Sequence, residues 1–224
     1  RVKVEGWVTS DVAEDLFSQA KLNLEQLKQD ALSTEFQAVE MPSLTLDATL
    51  KNTIEYSMSH NVAAVKRGTK QPDEYILMMA HWDHLGMNED QPGDNIYNGA
   101  VDNASGTAGL LELANYYSSI ESERSLLFLA VTAEESGLLG SQYFAEYPPI
   151  DLSHVVAGYN FDAVLPIGKT KDMIVVGYGA SELEDILRTE LKKIDKYITP
   201  DPEPEKGFFY RSDHISLAKK GVPM

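Results

Sequence analysis

Tyr75-Ile-Leu-Met-Met-Ala80 runs straight into His81-Trp82-Asp83-His84, and the fold is read outward from this stretch. An unbroken apolar run suits a strand buried on both faces of a parallel sheet. Two imidazoles and a carboxylate directly after it put ionisable groups at that strand's C-terminal end. In open α/β sheets this is the end at which sites are built. Downstream, the spacing of Leu110, Leu113, Ala114 and Tyr117 predicts a helix over 106–119. Ser125-Leu-Leu-Phe-Leu-Ala-Val131 predicts a second buried strand, and a helix over 137–147 ends at Pro148-Pro149. Further strands are expected over 154–161 and 173–178, and helices over 181–194 and 212–220. Upstream, Asn61-Val-Ala-Ala-Val-Lys66 is a strand candidate, and Leu44, Leu46, Ala48 and Leu50 alternate with polar residues as a half-buried strand does. Strands alternating with helices imply an α/β fold, with a mostly parallel central sheet flanked by helices on both faces.

Residues 1–42 read differently. Val2, Val4 and Trp7-Val8 suggest a short strand. Ser10-Asp11 suits the start of a helix carrying Val12, Leu16 and Phe17, and a second helical stretch carries Leu22, Leu24, Leu27 and Leu32. No side chain there has an evident chemical role. Domain organisation is therefore read as 1–42 and 43–224.

The chain has 224 residues, with 35 acidic against 19 basic side chains and a formal net charge of -16. Such a balance argues against nucleic acid or an anionic membrane as partner, since both require a basic face. It directs attention to cations. Cysteine is absent, so disulfides, thiolate nucleophiles and Cys-type zinc sites are excluded. No apolar run approaches the roughly 20 residues of a membrane span. The start at Arg1 and the end in Gly221-Val-Pro-Met224 read as the ends of a piece cut from a longer protein.

The chemistry collects at the expected strand ends. His81 follows the first buried strand, Thr132-Ala-Glu134-Glu135 the second, and Asp162 the third; Asp102 lies in a polar loop opening one helix and His214 opens another. Imidazole and carboxylate without Cys form a ligand set for zinc or a related divalent ion. Five such groups exceed the three protein ligands of one catalytic zinc, and two ions sharing one carboxylate fit better. Neighbouring side chains in the turn Glu134-Glu135 point apart, so one can bind metal while the other acts as general base. Asp83, two residues from His81, is placed to accept that histidine's second ring N–H.

Five motifs, in order, carry a resemblance: His81-x-Asp83-His84, Gly99-Ala-Val-Asp102-Asn-Ala-Ser-Gly106, Ala133-Glu134-Glu135-x-Gly137-Leu-Leu-Gly140-Ser141, Asn160-Phe-Asp162, and Arg211-Ser-Asp213-His214 with Gly221-Val-Pro223. Together they resemble the M28 family of co-catalytic zinc aminopeptidases, over roughly residues 60–224. The resemblance implies a phosphorylase/hydrolase-like sandwich with a central mixed sheet. It implies two Zn²⁺, with Mn²⁺ or Co²⁺ as possible substitutes: His81 and Asp162 on one, Glu135 and His214 on the other, Asp102 between them, Glu134 as base and Asp83 as brace. The implied reaction removes the N-terminal residue of a peptide. The first 30 residues are similar to the last strand and helix of a protease-associated domain, which implies a secreted or periplasmic bacterial protein.

Other residues keep two readings. Trp82 and Tyr210 stand as borders of a substrate pocket or as packing, with Tyr210 also a candidate donor to the oxyanion. His84 lines the pocket or packs locally, and Asp213 braces backbone or a ligand. His60 and His154 flank strands and read as structural. Gly177-Tyr-Gly179-Ala-Ser imitates a dinucleotide fingerprint, but Glu182 stands at the third glycine position, so it reads as a turn. Asn103-Ala-Ser105 matches a glycosylation sequon in a loop where a glycan would block the metal. Competing functions are a glutaminyl-cyclase-like zinc acyltransferase, a glutamate-type carboxypeptidase and a receptor-like relative without activity. The oligomeric state is left open.

Overall fold

The computed structural model describes residues 6–224, which divide into two compact units, the first ending at Tyr56 and the second spanning Ser57–Met224. The second unit thus begins later than residue 43. In the first unit α1 spans Ser10–Gln19 and α2 spans Leu24–Asp30. The Asn23 side chain caps α2 by accepting the Gln26 N–H at 2.9 Å. Val2 and Val4 lie outside the described residues, and Trp7-Val8 are in no strand. The strand expected over 44–50 does not form: Leu46 and Leu50 are exposed. Alternation makes a strand only where a neighbour completes the ladder, and no described residue pairs with this segment.

The second unit is built on four strands in the order β1-β5-β2-β6. They span Val62–Lys66 (β1), Gln71–His81 (β2), Arg124–Val131 (β5) and Val155–Asn160 (β6). Strand β1 is antiparallel to β5; β5 and β6 are parallel to β2. The mixed, mostly parallel sheet is therefore as expected. The register sets His81 opposite Val131 and Met79 opposite Asn160, so the three parallel strands release their chains at one edge.

The strand run is apolar without a break because both faces are covered. Tyr75, Leu77 and Met79 join Leu127, Leu129, Val131 and Val155 under Phe144, Leu217 and Val222. On the other face Met78 and Ala80 join Leu126 and Phe128 against Leu110, Leu113 and Tyr117. Each fully buried Leu contributes about 1.5–3 kcal/mol. The covering helices are α3 (Gly106–Ser118) on the second face, and α4 (Leu139–Glu146) and α6 (His214–Ala218) on the first.

Two features were not foreseen. A small hairpin, β3 (Gly86–Met87) with β4 (Ile96–Tyr97), rises between His84 and Asp102. The strand expected over 173–178 is β7 (Asp172–Val175), and it leaves the main sheet to pair in parallel with β8 (Tyr197–Pro200). Between these two runs α5, Leu183–Lys193. Gly177 and Gly179 do form a turn, with φ of +85° and +92°. Among the described residues no helix is long and apolar enough to cross a membrane.

Candidate metal centre

His81 is the last residue of β2 and its side chain is buried. Its Nδ1 lies 3.1 Å from the Asp83 carbonyl oxygen, while the nearer Asp83 carboxylate oxygen is 3.7 Å away. The Asp83 residue thus holds the ring, chiefly through its backbone. The other ring nitrogen, Nε2, faces outward. It meets Asp102 Oδ1 and Asp162 Oδ1, each at 3.2 Å. Burial pushes the His81 pKa down, but the Asp162 carboxylate, helped by the charges of Glu134 and Asp213, raises it to about 9.

Asp162 stands two residues past the end of β6. One of its oxygens faces His81, and the other accepts the Ser212 hydroxyl at 2.5 Å. That hydroxyl in turn accepts the Asn160 amide at 2.6 Å. Burial pushes the Asp162 carboxyl up, but these hydrogen bonds from His81 and Ser212 win and hold it below the usual range.

The turn after β5 is shaped by a left-handed Ala133, with φ of +55°, and by the Asp83 carboxylate, which accepts the backbone N–H groups of Glu134 (3.1 Å) and Glu135 (3.3 Å). Gly140 lets α4 close over this turn: a Cβ there would stand 2.1 Å from the Thr132 carbonyl oxygen. Glu134 is pushed up to about 7 by burial, reinforced by the charges of Asp213 and Asp162 against the opposing pull of His81.

His84 Nδ1 approaches Glu135 Oε1 at 2.6 Å. Yet His84 Nδ1, Glu135 Oε1 and Asp102 Oδ1 are all buried without an aligned hydrogen bond among the described residues. Ligand atoms aimed at a common point, rather than at one another, produce that pattern. Two clusters result, His81–Asp102–Asp162 and His84–Asp102–Glu135, each with donor atoms within 4.8 Å of one another and with Asp102 in both. Nitrogen and carboxylate oxygen without sulfur is a donor set that fits zinc.

His214 joins neither cluster. It opens α6 with its ring 5.1 Å from that of Phe209, edge to face. Burial pushes its pKa down, against the Phe209 backbone and the Asp162 charge. His84, three residues along from His81, stands beside Glu135, where the resemblance implied His214. Asp213 lies completely buried, and burial pushes it up to about 6 against the opposing Ser141 hydroxyl. Trp82 and Tyr210 are both largely exposed. Trp82 is anchored by its indole N–H, donated to the His60 carbonyl at 3.2 Å.

One organising residue carried no chemical expectation. Asn103, 2% exposed, follows Asp102 across a cis peptide bond. Its amide donates to the carbonyls of Phe161 (2.9 Å) and His81 (3.3 Å), and its oxygen accepts the N–H groups of Gly106 (3.0 Å) and Ala163 (3.1 Å). It thereby ties together the three segments that bear His81, Asp102 and Asp162. Gly106 must lack a side chain here, since a Cβ would meet the Asn103 oxygen at 2.3 Å.

Known proteins resemble the chain in sequence and in fold. A fungal protein named "Probable zinc metalloprotease", from Pyrenophora teres f. teres, is 38% identical over 104 residues, 46% of this chain and 22% of its own. Aminopeptidase YwaD of Bacillus subtilis is 33% identical over 122 residues, 53% of this chain and 25% of its own. The alignments thus span about a quarter of these curated relatives. The solved aminopeptidase from Aneurinibacillus sp. strain AM-1 matches with a TM-score of 0.55 at 27% identity, over 74% of this chain and 38% of that one. The model of peptidase family M28 matches residues 61–224. Since that match takes in every residue of both clusters and more than half of the sequence, the chain belongs to peptidase family M28.

Proposed function

We propose that this chain carries the centre of a two-zinc aminopeptidase, which hydrolyses the N-terminal bond of a peptide. The observation that supports it best is the pair of clusters sharing Asp102, with His84 Nδ1, Glu135 Oε1 and Asp102 Oδ1 buried without an aligned hydrogen bond among the described residues. His81, Asp102 and Asp162 would hold one ion, and His84, Asp102 and Glu135 the other. Zinc bound there lowers the pKa of water and polarises a carbonyl.

The chain's own residues do the rest. Glu134, raised to about 7, is matched to a base working near neutrality. It takes the proton of the attacking water and passes it to the leaving amine as the C–N bond breaks. Asp83 fixes the backbone of Glu134 and Glu135 and so keeps base and ligand pointing apart. Ser212 and Asn160 hold one oxygen of Asp162, which leaves the other for metal.

The test is to strip the protein with a chelator, restore Zn²⁺, and assay aminoacyl-anilides beside N-blocked peptides. Zinc-dependent release from the free-amine substrates is expected. Cleavage confined to N-blocked peptides would sink the aminopeptidase reading.

A further inference from the structure

Four arginines lie in Ser57–Met224. Three have polar partners: Arg67 donates to the Tyr75 hydroxyl, Arg124 pairs with Glu74, and Arg188 bonds Asp185 and Tyr178. Arg211 has none among the described residues. Its guanidinium carbon lies 5.4 Å from the centroid of the Phe208 ring, and the side chain is exposed. It is bonded through the backbone to Ser212, whose hydroxyl touches Asp162 at 2.5 Å. Arg211 is thus one residue from the Ser212 that holds Asp162, and its guanidinium forms no ion pair among the described residues.

A guanidinium stacked on an aromatic ring loses part of its freedom in advance, and its planar fork matches a carboxylate with two parallel hydrogen bonds. A chain of net charge -16 repels carboxylates over most of its surface, so a free guanidinium is a local exception that can select them. Taking the aminopeptidase reading as its base, the inference follows from the shape of the substrate. The free amine lies on one side of the scissile bond, and the one carboxylate every short peptide must carry lies on the other.

We propose that Arg211 receives a carboxylate carried by the peptide on the leaving side of the scissile bond, which makes short or acidic peptides the preferred class. That carboxylate has two sources: the C-terminus of a dipeptide, or the side chain of an acidic second residue.

The test uses the zinc-loaded protein and four peptides in two pairs. Leucyl-alanine is compared with leucyl-alaninamide, and leucyl-glutamic acid α-amide with leucyl-glutamine amide, the former carrying its free carboxylate only on the side chain. In wild type, the carboxylate-bearing member of at least one pair is expected to show kcat/KM roughly 10–100-fold higher, as for a charge-assisted hydrogen bond, mainly through KM. The pair that responds names the source. R211Q should bring the members of that pair to the same kcat/KM, and R211K should restore part of the difference, each at wild-type zinc content. Cleavage of all four peptides without preference, or a preference that survives R211Q, overturns the role of Arg211 and leaves the aminopeptidase reading standing. No cleavage of any of the four overturns both.

Discussion

Replacing Asn103 by Ala tests the claim that one buried amide assembles the centre. The side chain makes four hydrogen bonds at 2.9 to 3.3 Å while 2% exposed. Two of its partners have another bond to fall back on: the His81 carbonyl also accepts the Thr107 hydroxyl at 2.8 Å, and the Gly106 N–H also reaches the Asn103 carbonyl. The Phe161 carbonyl and the Ala163 N–H lose the partner Asn103 provides. Leaving a buried group unsatisfied costs about 1–3 kcal/mol, and losing a bond with compensation about 0.5–1.5 kcal/mol. Water entering the gap offsets part of this, so a destabilisation of about 4 kcal/mol is expected, a large share of the ~5–15 kcal/mol typical of a whole domain. Asn103→Asp should do little better, because it turns an acceptor toward two carbonyls. The assay is urea unfolding of the metal-free protein by linear extrapolation, with zinc affinity measured beside it. A loss below about 1 kcal/mol with unchanged zinc affinity would refute the reasoning.

Three further outcomes are expected. Glu134→Gln should keep the metal content of wild type while turnover falls by roughly 10²–10⁴-fold; a collapse of metal content would mean that Glu134, not Glu135, is the ligand. His84→Ala should weaken zinc binding in an equilibrium competition with a chelator far more than His214→Ala does, and the reverse order would return His214 to the site. In the metal-free chain, His81, Glu134 and Asp213 have pKa values raised from 6.5, 4.5 and 3.8 to about 9, 7 and 6. The folded state therefore binds more protons than the unfolded one through these groups. Their contributions are complete below each ordinary value and are lost as pH rises through each raised one. Thermal unfolding without metal should move to lower temperature between about pH 5 and 9, and a Tm that climbs across that interval would contradict the assignment.

Much of the site was legible because residue type and position along a strand–helix rhythm are written locally. The apolar run before His81 meant a doubly covered strand, and a covered parallel strand sends its C-terminal residues to the edge where His81, Glu134, Glu135 and Asp162 were sought. That inference needs only periodicity and the connectivity of α/β folds. The run from Leu44 to Leu50 failed by the same logic: its alternation is a local property, whereas a strand needs a partner that local sequence does not name. Strand β7 was read as a strand, but its departure from the main sheet depends on the pairing with β8.

His84 and His214 mark the boundary most clearly. Both are histidines beside carboxylates in sequence, and the family motif around His214 named that one as the ligand. The choice lies in where two separate segments put their rings, His84 beside Glu135 and His214 against Phe209. Asn103 is the same case from the other side. Along the chain it is a polar residue in a sequon, and only the convergence of β2, β6 and α3 surrounds it with four backbone groups to satisfy. The sequence by itself determined the sheet, its edge and the chemical types gathered there, because these follow from local pattern. Tertiary structure alone decided which imidazole faces which carboxylate and which amide holds them, because those contacts join residues far apart in sequence.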